Sequence, residues 1–204
     1  MLLVVNPLEA VLAGLTKLDP EDERLLDAAR EEFIAHGFRR VSMSDIANRA
    51  GVSRRTIHRR FGEKDNLIVA VIGRETTAFL SAVFETVASI DTATSRAVEI
   101  FVAGMREVRK NPLILALQKF EPDTLASALH GDGARQYVKT VVAPTLVDSK
   151  MALEDAQWAA ELIARLTVSL TLAPSSVVPV STDDQAREFA QRCFPALLAA
   201  ARRQ

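Results

Sequence analysis

The sequence predicts an all-α protein, and three observations carry that reading. Apolar residues recur at three- and four-residue spacing along most of the chain, as in helices that bury one side. Hydrophobic residues make up 49% of the 204, led by Leu, Ala and Val, while aromatics supply only 5%. Caps and breakers fall between the periodic stretches: Asp19-Pro20, Ser42, Gly51 to Ser53, Gly62, the run Ser89 to Ser95, and Gly131 with Gly133.

Residues 1–18 open apolar, MLLVVNPLEAVLAGL, but the first cation is Lys17, so a secretory leader is not expected. They are read as an N-terminal extension, either a turn or helix packed on the body or a frayed tail. The first long helix starts at Asp19-Pro20, with Glu21, Asp22 and Glu23 at the positive end of its dipole. Leu25, Leu26, Ala29, Phe33 and Ile34 form its inward stripe, His36 lies in its last turn and Gly37 ends it.

The most informative stretch is Val41 to Leu67, VSMSDIANRAGVSRRTIHRRFGEKDNL. Ser42 is a helix N-cap and Asp45, three residues on, closes a capping box. A short helix, Ser44 to Ala50, carries Ile46, Ala47 and Ala50 on one side. Gly51 stops it through a left-handed backbone, and small Ala47 lets the next helix cross closely. Ser53 then caps a second helix, Arg54 to Phe61. Two short helices around such a turn are a helix-turn-helix. At about 100° per residue, Ile57 and Phe61 share its inner face while Arg55, His58 and Arg59 point away, flanked by Arg54 and Arg60. An arginine-bearing helix suits the DNA major groove, where a guanidinium reads guanine O6 and N7 bidentately for about 1–3 kcal/mol of discrimination. Arg54, Arg55, His58 and Arg59 are the candidate base contacts, with Ser44 as an addition.

Net charge is only −1, which argues against wholesale nucleic-acid coating, but its distribution is uneven. From Arg39 to Lys64 the basic residues are Arg39, Arg40, Arg49, Arg54, Arg55, Arg59, Arg60 and Lys64, against Asp45 and Glu63. From Asp19 to Phe38 seven acids face two arginines. A positive field focused on one edge is expected.

After Gly62 a long helix begins near Glu63 and carries Leu67, Ile68, Val71 and Ile72. The break at Ser89 to Ser95 sets the expected division: 19–88 with the helix-turn-helix and 89–204 as a second domain. There, helices are expected over Ala97 to Arg109, Pro112 to Phe120, Asp123 to His130, and Ala134 to Met151 kinked or split at Pro144. Two long ones follow, Glu154 to Leu172 with Trp158, Leu162, Ile163, Leu166 and Leu170 inward, and Thr182 to Arg202, bent at Pro195. The lone Cys193 forms no internal disulfide and fits a reducing cytoplasm. No apolar run is expected to span a membrane.

Residues 22–88 resemble the DNA-binding domain of the tetracycline-repressor (TetR) family of bacterial transcription regulators. Phe33, Gly37, Phe38, Ile46, Ala47, Ala50, Gly51, Val52, Ser53, Thr56, Phe61, Lys64 and Leu67 keep its pattern. His58 stands where the family usually has Tyr, and Arg60 where it often has His or Tyr. The resemblance implies backbone contacts from Thr56, Arg60 and Lys64, to which Ser42 is added as a further phosphate contact. It also implies a homodimer through the last two helices, which a short recognition helix needs in order to read a palindromic double-stranded operator. In the second domain it implies a small-molecule effector site, for which Phe101, Met105, Phe120, Leu129, Tyr137, Trp158 and Leu162 are the candidates, and an apolar or amphipathic effector is expected. Coupling would be a pivot of the 63–88 helix. His36, His58 and His130 are scattered, and no phosphate-cradling loop or metal-ligand spacing occurs, so no catalytic set, cofactor or metal is expected. The competing reading, a helical lipid or small-molecule carrier without a DNA target, is opposed by the outward arginines.

Overall fold

The structure is a computed structural model that describes residues 19–202 and contains, among them, ten α-helices. These are α1 Pro20–His36, α2 Met43–Ala50, α3 Arg54–Phe61, α4 Lys64–Val87, α5 Ala93–Lys110, α6 Pro112–Phe120, α7 Pro122–His130, α8 Asp132–Tyr137, α9 Leu153–Leu172 and α10 Asp183–Ala201. The expected N-terminal extension, 1–18, lies outside the described residues.

The termini follow local chemistry. The Asp19 carboxylate accepts from the amides of Glu21 and Asp22 at 2.9 and 2.8 Å, capping α1. Ser42 and Asp45 form the reciprocal capping box of α2, which starts at Met43, a residue before the expected Ser44. Gly51 ends α2 at φ 69°, ψ 32°, its N–H returned to Ala47 and Asn48. Ser53 caps α3 through the Thr56 amide.

Two compact units result. The first takes in the chain as far as Phe79 together with Asn111–Gly131, and the second Leu80–Lys110 with the chain from Asp132 onward. Compactness therefore divides the chain differently from the composition break at 89. Helices α6 and α7 fall in the unit of the helix-turn-helix, where α6 packs against α1, and α4 passes from one unit into the other.

The core of the first unit gathers Leu25, Leu26, Ala29 and Phe33 of α1, Ile46 and Ala47 of α2, Ile57 of α3, Leu67 and Val71 of α4, and Leu113 of α6. Phe33 and Phe38 meet edge to face at 4.7 Å between ring centres. By length and composition α4 is apolar enough to cross a membrane, which corrects the expectation that no run qualifies. Its buried Leu67, Ile68 and Val71 assign that apolar face to the core of this unit.

In the second unit α5 packs on α10 around Phe101, Phe189 and Phe194, with ring centres 5.3 to 6.1 Å apart. Arg187 holds Glu99 through two hydrogen bonds of 2.9 and 3.0 Å, and Arg106 and Arg109 both reach Asp183. Helix α5 begins at Ala93, a turn before the expected Ala97, because Thr92 caps it through the amide of Ser95. The expected helix 134–151 ends early. From α8 the backbone loosens into a π-helical turn, Val138–Val142, and tightens into a 3-10 turn, Ala143–Leu146. Pro144, lacking an N–H, cannot continue an α-helical ladder, and the change of winding absorbs it. On α9, Trp158 and Leu166 are not inward as expected: they are 47% and 37% exposed. The inner face of α9 is instead lined by the small Ala156, Ala159 and Ala160 with Ile163.

Candidate nucleic-acid interface

Helix α3 is held to its unit by one fully buried side chain, Ile57, and by half-buried Phe61. With that face fixed, Arg54, Arg55 and Arg59 stand exposed on the outside, and His58 is half-buried beside them. Arg54 Nε lies 3.4 Å from His58 Nε2, so the imidazole is held along the helix rather than directed outward alone. Ser44, one helix earlier, is half-buried. These five expected base-contact positions belong to one compact unit, and three of them present exposed guanidiniums.

The expected phosphate contacts divide. Ser42 is exposed, but its hydroxyl donates to Asp45 at 2.6 Å; that bond and the amide of Ser42 hold the Asp45 carboxyl below its ordinary range. The Thr56 hydroxyl shares a 2.9 Å bond with Ser53. Arg60 and Lys64 have other partners than phosphate. The Arg60 guanidinium donates to Asp19 and Asp22 at 2.7 Å each and to Glu21. The hydrogen bond to Asp19 leads the effects that raise its pKa, and its Nε is buried without a hydrogen-bond partner. Lys64 directs its ammonium to three carbonyls, Phe38 at 2.9 Å, Val41 at 3.0 Å and Arg39 at 3.5 Å. Both cations therefore brace the unit from within: Arg60 ties the recognition helix to the start of α1, and Lys64 gathers the loop before α2.

This pairing changes the electrostatic reading. The acids of α1 are largely engaged: Glu31 and Glu32 hold Arg49, Asp27 holds Arg74, and Asp19, Glu21 and Asp22 hold Arg60. Among the described residues, the cations of 39–64 left without an ion-pair partner are Arg39, Arg40, Arg54, Arg55, Arg59 and Lys64, the last turned to backbone carbonyls. Arg39 and Arg40 had no assigned role in the sequence. The signal that could have marked them is their place three and two residues ahead of the Ser42 cap.

The seven candidates for an effector site are divided between the two units. Phe120 and Leu129 belong to the first unit. Phe101 and Met105 are buried in the core of the second, where Phe101 packs against other rings, so their surface is already spent. Trp158 is half exposed, and Leu162 and Tyr137 are half-buried. Burial pushes the Tyr137 phenol above its usual range. No group of three or more His, Cys, Asp or Glu among the described residues is placed to hold a metal ion.

Comparison with known proteins agrees with this geometry. Residues 25–71 match the family described as bacterial regulatory proteins, tetR family. The HTH-type transcriptional regulator AlkX of Mycobacterium tuberculosis (strain ATCC 25618 / H37Rv) is 28% identical over 181 residues, 85% of this chain and 83% of that protein. The HTH-type transcriptional activator FasR of Mycolicibacterium smegmatis is 40% identical over 67 residues, 31% of each chain. Among solved structures, the TetR family repressor AlkX from Dietzia sp. strain DQ12-45-1b matches with a TM-score of 0.62 at 23% identity, over 89% of this chain and 97% of that one. That likeness extends the shared fold well beyond the helix-turn-helix.

Proposed function

The chain belongs to the TetR family of DNA-binding transcription regulators, a family without enzymatic activity, and from that premise we propose that it is a homodimeric repressor released by a small molecule. The observation that carries the reading is the outer face of α3, where Arg54, Arg55 and Arg59 stand exposed around a helix anchored by Ile57. Those three, with His58 and Ser44, take base edges, and Ser42 and Thr56 take phosphates. Arg60 and Lys64 keep the reading helix and its preceding loop in place.

One head contacts too few base pairs for an operator, and two copies would read a palindrome in half-sites about 34–36 Å apart. The support for a pair formed through α9 and α10 is the outward stripe Trp158, Leu162, Leu166, Ser169 on α9, together with exposed Pro195, Ala196, Ala199 and Ala200 on α10. The second unit would carry the effector site, and its aliphatic composition favours an apolar or amphipathic compound. A pivot of α4, which passes from one unit to the other, would change the spacing of the heads. The protein would act in the cytoplasm, where its DNA lies. Repression is favoured over activation because Dietzia AlkX is a repressor. FasR, an activator, shares identity only over a third of the chain, so the head alone does not set the sign.

Footprinting on the DNA flanking its own gene, repeated across salt concentrations, tests the reading. A symmetric footprint is expected, with affinity falling about 0.9 log units per log unit of salt for each phosphate neutralised. Equal binding to that DNA and to random duplex would overturn sequence-specific regulation.

A further inference from the structure

Helices α6 and α7 lie in the half of the sequence expected to hold the effector, yet their junction reaches the loop in front of the helix-turn-helix. Glu121, between them, is 4% exposed within the first unit. Its Oε1 accepts the backbone N–H of Arg39 at 2.7 Å, and its Oε2 is buried without a hydrogen-bond partner among the described residues. From another direction Lys64 holds the carbonyls of Phe38, Arg39 and Val41. Gly37, where the loop leaves α1, lies so close to Phe120 that an added Cβ would come within 2.9 Å of that ring's Cβ. The backbone of 37–41 is thus fixed by a carboxylate, an ammonium and a close steric contact. Yet the side chains it carries, Arg39 and Arg40, are exposed and have no ion-pair partner among the described residues. Nearby arginines of the same unit, Arg30, Arg49, Arg60 and Arg74, are each paired with a carboxylate.

We propose that Arg39 and Arg40 form a second, sequence-independent contact with the DNA phosphates, and that Glu121 is the positioning residue that holds their loop in place. The inference rests on the DNA-binding reading above. A phosphate contact needs cations displayed on a backbone that does not have to be ordered at the moment of binding. Because the Arg39 amide is already taken by Glu121, the guanidiniums and not the main chain meet the phosphate. Glu121 acts through the loop and touches no DNA itself.

The test uses the full chain and a random-sequence duplex of 30 base pairs, on which only backbone contacts register. The slope of log affinity against log salt is measured for the wild type, for Arg39→Ala with Arg40→Ala, for Glu121→Ala, and for the three changes together. Losing two contacts per head should reduce the slope by about 0.9 for each phosphate no longer neutralised. Glu121→Ala should reduce the slope in the wild-type background and change nothing further once both arginines are gone. Glu121→Gln keeps an acceptor for the Arg39 amide and should retain most of the affinity. Should Glu121→Ala fail to fold by circular dichroism, the arginine pair tests the contact. Full affinity with Glu121→Gln then supports the acceptor role, and loss of affinity with a normal melting curve overturns it. An unchanged slope for the arginine pair overturns the phosphate contact. Additive losses for Glu121→Ala and the arginines overturn its action through the loop. Wild-type protein that ignores DNA altogether would defeat the function proposed above, whereas salt-dependent binding that does not respond to the loop variants defeats this inference alone.

Discussion

At the scale of single residues, what matters on α3 is which cations are spoken for. Arg55 is exposed and free of ion pairs among the described residues, so its replacement by Ala should relax discrimination at one base pair per half-site. The expected loss is about 1–3 kcal/mol for the preferred base, read by competition with single-position operator variants. A uniform loss across all variants would instead mark Arg55 as a phosphate contact. Arg60, six residues into the same helix, should behave otherwise. Its partners Asp19, Glu21 and Asp22 occupy it, so Arg60→Gln should lower the melting temperature while leaving the salt slope of DNA binding intact. The sign with pH follows from Asp19, whose carboxyl is held below its ordinary range first by the hydrogen bond from Arg60. A depressed carboxylate adds stability above its unfolded pKa of about 3.9 and loses it as pH falls through the folded value. Arg60→Gln should remove that part of the acid limb, which melting curves from neutral to acid pH would reveal. The sequence placed Arg55 and Arg60 on one helix, with Arg55 expected at a base edge and Arg60 at a phosphate, and it could not show the acids that hold Arg60. Periodicity gives the direction of a side chain, and the acids that capture Arg60 lie some forty residues earlier, brought close only by folding.

At the scale of elements, caps and breakers made the first five helices readable to within a few residues, because Asp19, Ser42, Ser53, Gly37 and Gly51 act locally. What they could not report is which neighbour a helix chooses. The sequence assigned α6 to the second domain by its place in the chain, yet it packs against α1. Its Leu113 joins the core of the first unit and its Phe120 lies against Gly37. The same contact explains why Gly37 and Gly51 should differ on mutation. Gly51 has φ 69°, ψ 32°, and a Cβ there would meet nothing within 4 Å, so Gly51→Ala carries only the left-handed cost of about 1–2 kcal/mol. Gly37 has φ 79°, ψ 161°, a region almost restricted to glycine, and a Cβ would strike Phe120 as well. Gly37→Ala should therefore cost more than Gly51→Ala, on the order of 1–3 kcal/mol for the backbone alone. Equal shifts of melting temperature for the two variants would mean that the α1–α6 contact yields easily. The turn at 138–146 was half legible: Pro144 announced a break, but the π-helical turn that prepares for it depends on the winding of the preceding residues.

For the molecule as a whole, the sequence made Trp158 and Leu166 core residues, because an apolar stripe on a helix is ordinarily an inward one. The stripe on α9 that faces its own unit is instead made of alanines, whose small size brings the neighbouring helices close and leaves the larger residues outside. A row of exposed Trp158 and Leu166 with half-buried Leu162 between them suits a second copy, and in a two-fold interface each side chain is buried twice. Burying a fully exposed leucine is worth about 1.5–3 kcal/mol, and Leu166 is 37% exposed, so its two copies together would contribute about 1–2 kcal/mol to the proposed dimer. Leu166→Asp should therefore weaken self-association by about tenfold from lost burial alone, since every 1.4 kcal/mol is about tenfold, and the repulsion and desolvation of two new carboxylates would add to it. Sedimentation of the variant should show a monomer whose helical circular dichroism is retained, because Leu166 takes no part in the buried core. Operator binding should fall toward the random-duplex level, since a lone head keeps its phosphate contacts but loses the second half-site. A variant that sediments as a dimer with wild-type operator affinity would remove α9 from the interface and leave the pairing of the reading heads to another surface.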